Sequence, residues 1–315
     1  MTPSPGRCAA DLSASGRGRD GLYPVLFIVI EQILNGLVVG AYYILLALGL
    51  SLVFSLGGVV NLAHGAFYAL GAYLAVTLTN AAGFYGALVA APVAVALVGM
   101  AIEVLFLRRL YQEDAILGLL FTFGLALTFE QAIRLVWGAT GLPFWIPPSL
   151  GGVLRAGGFL FSNYRLAVLA VAIAAIACTW LLLYKTSFGM VVRAGTSDPE
   201  MVRALGIRLR PVLTIIFGLG VGIAGLAGVM SAPLAGVQPA MGTEILTATF
   251  VIVVIGGLGS FWGVVLAGIL TGVVKGITVL FYPPAAEAAM YALMVLVLLV
   301  RPRGLFGERM DRLEA

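Results

Sequence analysis

Nine stretches of about twenty apolar residues follow one another along the chain, near 25–54, 62–80, 84–107, 115–136, 164–184, 211–231, 244–258, 262–282 and 286–300. Each is about the length a helix needs to cross the ~30 Å hydrocarbon core of a bilayer. Backbone N–H and C=O groups in lipid must pair within their own segment, so such a series can fold only as helices. The expected fold is all-α, a polytopic helical membrane protein with about eight or nine transmembrane helices. A re-entrant or broken segment around 57–65 would change the count by one. Composition agrees: 61% of the residues are hydrophobic and 10% charged, against roughly one quarter charged in soluble domains. The 41 glycines are about twice the usual share, which suits close approach of helix backbones. Pairs four apart at Gly36/Gly40, Gly218/Gly222, Gly259/Gly263, Gly268/Gly272 and Gly272/Gly276 predict tightly packed helix faces.

The polar remainder divides the chain. Residues 1–22, rich in Gly, Ser, Pro and Arg, read as a disordered N-terminal tail and not as a cleavable signal peptide. Residues 23–302 form the membrane domain, and 303–315 a cytoplasmic C-terminal tail. Basic clusters lie at Arg108–Asp114, Lys185–Arg210 and Arg301–Ala315. Even numbers of spans separate them, so the positive-inside rule places all three in the cytoplasm and the N-terminus outside. The segment 137–163 is then the longest outward loop, with Trp137 and Trp145 as interface anchors. The net charge of +4 shows no basic run interleaved with aromatics, so lipid headgroups fit it and nucleic acid does not. Cys8 and Cys178 form no disulfide or metal pattern.

The cytoplasmic segment 185–210 carries five basic side chains, Lys185, Arg193, Arg203, Arg208 and Arg210. Ser197 and Glu200 have the spacing of a capping box, Pro199 suits a first helical turn, and Gly206 a left-handed stop. One short helix is predicted from Asp198 to Leu205, with Met201, Val202 and Leu205 on one side and Arg203 elsewhere. It either lies flat on its own membrane domain or grips a soluble partner.

Within the spans, the sole histidine, His64, stands with Asn61 and Gly65 in NLAHG. The motif reads either as a lining of a translocation pathway or as a hydrogen-bonded helix break. GGVVNLAHGAFYALG (57–71) and GGLGSFWGVVLAG (256–268) each place a Gly pair and a polar break before an apolar helix, the outline of an internal repeat. Glu130 and Arg134, four apart, can neutralise each other near the outer end of a span. Glu103 is close enough to Arg108 and Arg109 to reach the headgroups. Glu31, Gln32 and Asn35 cluster at the start of the first span. No P-loop, H-E-x-x-H or G-x-S-x-G motif occurs.

The segments NGLVVGAYYILLALGLSLVFSLGGVVNLAHGAFYALGAYLA, RAGTSDPEMVRALGI, FGLGVGIAGLAGVMSAPL and VIVVIGGLGSFWGVVLAGILTGV, with RPRGLFG, resemble the LivH-type permeases of bacterial branched-chain amino acid ABC transporters. The resemblance spans about 30–307. It implies a multi-pass subunit of the bacterial inner membrane, without an ATPase site or cofactor of its own. The implied partners are a second, LivM-like permease, two ABC ATPases (LivG-like and LivF-like) that bind the ATP, and a periplasmic amino-acid-binding protein. It also implies an ATPase-coupling role for the loop residues Ser197, Asp198, Glu200, Arg203, Ala204 and Gly206. Branched-chain or other hydrophobic amino acids are the expected solutes, with urea or short amides as the alternative. Two other classes make distinct demands. An ion-coupled secondary transporter needs an essential intramembrane acid, for which Glu103 and Glu130 are candidates. A membrane enzyme needs a catalytic constellation, for which His64 is the one imidazole.

Overall fold

The computed structural model describes residues 22–58, 60–111, 113–156 and 159–307; residues 1–21 of the expected N-terminal tail and the end of the C-terminal tail lie outside them. The helices are α1 (Leu22–Gly57), α2 (His64–Ile102), α3 (Arg108–Leu110), α4 (Ala115–Trp137), α5 (Asn163–Lys185), α6 (Ser187–Ser197), α7 (Pro199–Ala204), α8 (Leu209–Ala235), α9 (Met241–Gly256), α10 (Phe261–Phe281) and α11 (Ala286–Val300). A π-helical turn, Glu103–Leu107, joins α2 to α3. The protein is a multi-pass helical membrane protein. Seven of the described helical segments are long and apolar enough to cross a bilayer when α2 is taken whole, and α9 is a shorter apolar helix.

Two spans were expected where α2 stands, and the backbone explains the difference. Gly83 has φ 70° and ψ 171°, a region open essentially to glycine alone. Gly71 and Val95 both pack on Gly225 of α8, although 24 residues of straight helix would hold them ~36 Å apart. Helix α2 is therefore a hairpin whose two limbs clasp α8. Divided there, it restores the three spans expected ahead of Arg108.

Helices α1 and α8 form the centre. Leu45, Leu46, Leu48 and Leu50 of α1 and Val221, Ala224, Ala227 and Val229 of α8 are buried. Glycine lets the backbones meet: Gly36 and Gly40 face Gly268, Gly272 and Gly276 across the α1–α10 crossing, and Gly218 and Gly222 admit Met100 and Ala96 of α2. The Gly259/Gly263 pair differs from the expectation. Gly259 lies in the turn before α10 with φ 83°, so that pair is not one helix face.

The basic segments gather at one end. Gly57 touches Tyr111, Gly195 touches Leu56 and Leu209, and Gly259 approaches Ser55. Residues 303–307 fold back there: Leu305 N–H donates to the Ile255 carbonyl at 2.8 Å and Phe306 N–H to Gly256 at 3.1 Å. Two carbonyls left open at the end of α9 are thereby satisfied.

The opposite end carries the 137–163 loop, which contains an unpredicted antiparallel hairpin, β1 (Val153–Ala156) and β2 (Phe159–Ser162). Trp145 is 81% exposed. Trp137 turns toward α2 instead, its ring tilted at 51° to that of Tyr73 and its indole N–H donating to Thr77 at 2.9 Å.

Candidate functional site

The segment between α5 and α8 is a helix–turn–helix. Asp198 (φ −147°, ψ 89°) separates α6 from α7, so the single predicted helix is preceded by another. Asp198, not Ser197, is the N-cap. Its carboxylate accepts from Glu200 N–H at 3.1 Å and Met201 N–H at 2.9 Å, whereas the Ser197 hydroxyl donates back to the Arg193 carbonyl at 3.2 Å. A serine inside the last turn of α6 has a local carbonyl in reach, and Asp-Pro supplies the stronger stop and start. The C-terminal expectation holds: Gly206 has φ 79°, and Gly206 and Ile207 N–H donate to the Arg203 and Val202 carbonyls at 2.9 and 3.3 Å, the paired bonds of a Schellman ending.

The predicted apolar face of α7 splits. Val202 is buried, while Met201 and Leu205 are 58% and 70% exposed. Helix α6 docks through Gly189, Val192 and Gly195. Arg193 lies over the Tyr184 ring and donates to the Leu183 carbonyl, and Lys185 lies over Trp180. Two of the five basic side chains thus hold the segment to the body. Glu200, Arg203, Ala204, Leu205 and Gly206 stay exposed, with Arg208 and Arg210 beside them.

Helix α1 ends at Gly57, and helical structure resumes only at His64. The Asn61 side-chain oxygen accepts from Ala63 N–H at 3.0 Å, and Thr122 of α4 accepts from Leu62 N–H at 3.2 Å. His64 Nε2 donates to the Leu46 carbonyl at 3.0 Å, partway along α1, so α2 starts inside the bundle. Gly65 lies backbone to backbone on Gly242, the second residue of α9. Two helix starts therefore cross in the interior. The start that meets NLAHG is that of α9. Asn61 and His64 are 2% and 0% exposed, and the Asn61 amide nitrogen and His64 Nδ1 have no protein partner.

Beside this crossing is a pocket of ≈ 200 Å³ between the first limb of α2, α4 and the start of α9. Leu62, Ala66, Phe123, Leu127 and Leu246 form its apolar walls, and Glu130 and Thr243 supply side-chain oxygens. Asn61, His64 and Gly65 are not among its lining residues; they support the backbone behind it. Glu130 accepts from Arg134 at 2.6 Å and from the Thr243 hydroxyl at 3.3 Å. The local pairing with Arg134 was legible; the approach of Thr243 from a helix 113 residues away was not.

Glu103 departs from its expected reach to the headgroups. It is 0% exposed, accepts from Thr214 of α8 at 2.6 Å and lies 3.4 Å from Arg108. The i→i+5 winding of a π-turn brings residues 103 and 108 together. Burial, with the Glu103 carboxylate nearby, pushes the Tyr111 phenol up from its ordinary value. Among the described residues no group of three or more His, Cys, Asp or Glu is arranged to hold a metal.

Comparison with known proteins adds family evidence. The family model described as the permease component of branched-chain amino acid transport systems matches residues 32–299. The chain is 27% identical over 300 residues to the high-affinity branched-chain amino acid transport system permease protein BraD of Pseudomonas aeruginosa, covering 90% of this chain and 98% of the relative. It is 26% identical over 300 residues to LivH of Escherichia coli K12, covering 89% and 96%. It is 30% identical over 288 residues to LivM of the same organism, covering 84% and 67%. No solved structure matches.

Proposed function

Because the chain belongs to the branched-chain amino acid transport permease family, we propose that it is the transmembrane subunit of an ABC importer and forms part of the path for branched-chain and other hydrophobic amino acids. The match across residues 32–299 carries this reading. The similarity to both LivH and LivM supports pairing with a second, LivM-like permease. Two cytoplasmic ATPases of the LivG and LivF kinds would bind the ATP, a periplasmic amino-acid-binding protein would deliver the solute, and the assembly would sit in the bacterial inner membrane. The chain contributes neither nucleotide site nor cofactor.

The coupling element is the α6–α7 segment. It has the requirements of a lever: a capped short helix, an anchor in Val202, and an exposed tip of Glu200, Met201, Arg203, Ala204 and Leu205. Exposed Met and Leu beside arginines suit a protein surface that buries them. ATP-driven movement of the partner ATPases would be passed through α7 to α8, which the two limbs of α2 clasp.

The test uses the purified complex in liposomes. Glu200→Ala and Gly206→Val are expected to lower leucine uptake per ATP hydrolysed at least fivefold while the subunits still assemble. Coupled uptake at the wild-type ratio in both variants overturns the coupling role. Uptake that requires an ion gradient, and not internal ATP, overturns the importer reading in favour of a secondary transporter.

A further inference from the structure

The pocket beside the crossing of α2 and α9 has a composition that neither helix packing nor lipid contact requires. Leu62, Ala66, Phe123, Leu127 and Leu246 make an apolar chamber, and Glu130 stands in the same wall. A lone carboxylate at the bilayer centre costs ~2.5–3.5 kcal/mol on the insertion scale, and a paired one toward the end of a span costs less. Glu130 is held against that cost by Arg134 at 2.6 Å, and its side chain retains 19% exposure. Its second oxygen meets only the hydroxyl of Thr243, at 3.3 Å. An ionised carboxylate offers about four acceptor positions, so this one can take a further N–H donor without giving up Arg134.

The chamber is smaller than the ~300–1,000 Å³ usual for drug-sized ligands, which suits a molecule of few heavy atoms. One wall acidic and the rest aliphatic or aromatic is the complement of the ammonium and side-chain ends of a small amino acid, whose carboxylate the lining meets with the Thr243 hydroxyl as its side-chain donor. Resting on the importer reading above, we infer that this pocket is a transit site for the amino acid inside the permease. Glu130 accepts from the substrate ammonium, Arg134 balances the charge of Glu130, and Leu62, Phe123, Leu127 and Leu246 contact the side chain. The permease thereby adds its own size selection to that of the binding protein. A lipid acyl chain would use the same walls but would not need Glu130.

The experiment measures ATP-driven uptake of alanine, valine, leucine and phenylalanine by the reconstituted complex with its binding protein at saturation. Binding-protein-stimulated ATP hydrolysis is recorded in parallel as evidence of intact assembly. Glu130→Gln is expected to lower uptake of all four about tenfold, the scale of one charge-assisted hydrogen bond, with Glu130→Asp partly restoring it. Leu127→Trp narrows the chamber at a residue that is already 49% exposed. It is expected to lower leucine and phenylalanine uptake at least fivefold more than alanine uptake. A shift in that ratio with an unchanged binding protein must arise in the membrane subunits. Unchanged rates and ratios in both variants overturn the assignment while leaving the importer reading intact. Loss in Leu127→Trp with no effect of Glu130→Gln marks an acyl chain and also overturns it. A wild-type complex that carries none of the four amino acids overturns the functional reading first and this assignment with it.

Discussion

Asp198 has more influence on the exposed segment than its size suggests, because one carboxylate satisfies two N–H groups that the first turn of α7 would otherwise leave open. Asp198→Ala is expected to destabilise that helix by about 1 kcal/mol, and Asp198→Asn by much less. Hydrogen exchange of the residue 199–205 amides should register faster opening in the alanine variant alone. Ser197→Ala should leave those amides unchanged; equal loss of protection in Ser197→Ala would restore the capping box read from spacing. That spacing misled for a physical reason. The preceding residues continue as helix up to Ser197, which puts its hydroxyl over the Arg193 carbonyl instead of ahead of a free helix start. Pro199 and Gly206, whose effects depend on backbone alone, were legible.

At the scale of helices, the crossing of α1 and α10 depends on the absence of side chains. A Cβ at Gly272 would overlap the Gly36 carbonyl oxygen, whereas one at Gly124 would meet nothing within 4 Å. Gly272→Leu is therefore expected to cost about 1–3 kcal/mol or more through forced separation, with Gly124→Leu close to neutral. Thermal unfolding of the detergent-solubilised chain measures both, and a Gly272→Leu variant as stable as wild type would sink this account. The regular spacing of these glycines within one helix announced such contacts, but the identity of the facing helix is a property of the fold. The pocket was illegible for the same reason. Its walls come from residues 62–69, 123–133 and 239–246, and no local pattern links Glu130 to Thr243. Glu103 was misplaced because a π-turn is a deviation of backbone winding that side-chain periodicity does not encode.

The molecule as a whole has two unlike ends, one gathering the basic segments and one carrying the β-hairpin and Trp145. With Cys8 and Cys178 replaced by serine, Leu205→Cys and Trp145→Cys, at sites 70% and 81% exposed, are expected to react with impermeant reagents from opposite faces of the membrane. Labelling from the same face would break the sidedness drawn from the positive-inside rule. The succession of apolar segments made the architecture readable, since length and hydropathy alone mark a span. The break between the spans 62–80 and 84–107 was legible too, and the backbone angles of Gly83 show how the chain makes it. At the basic end, residues 305 and 306 cap α9 by bonding the Ile255 and Gly256 carbonyls. Those two residues are made after every described helix, so the turn joining α9 to α10 stays without them while α10 and α11 are being synthesised. A chain that has not yet reached residue 305 lacks these two donors, and the Ile255 and Gly256 carbonyls then need water in their place.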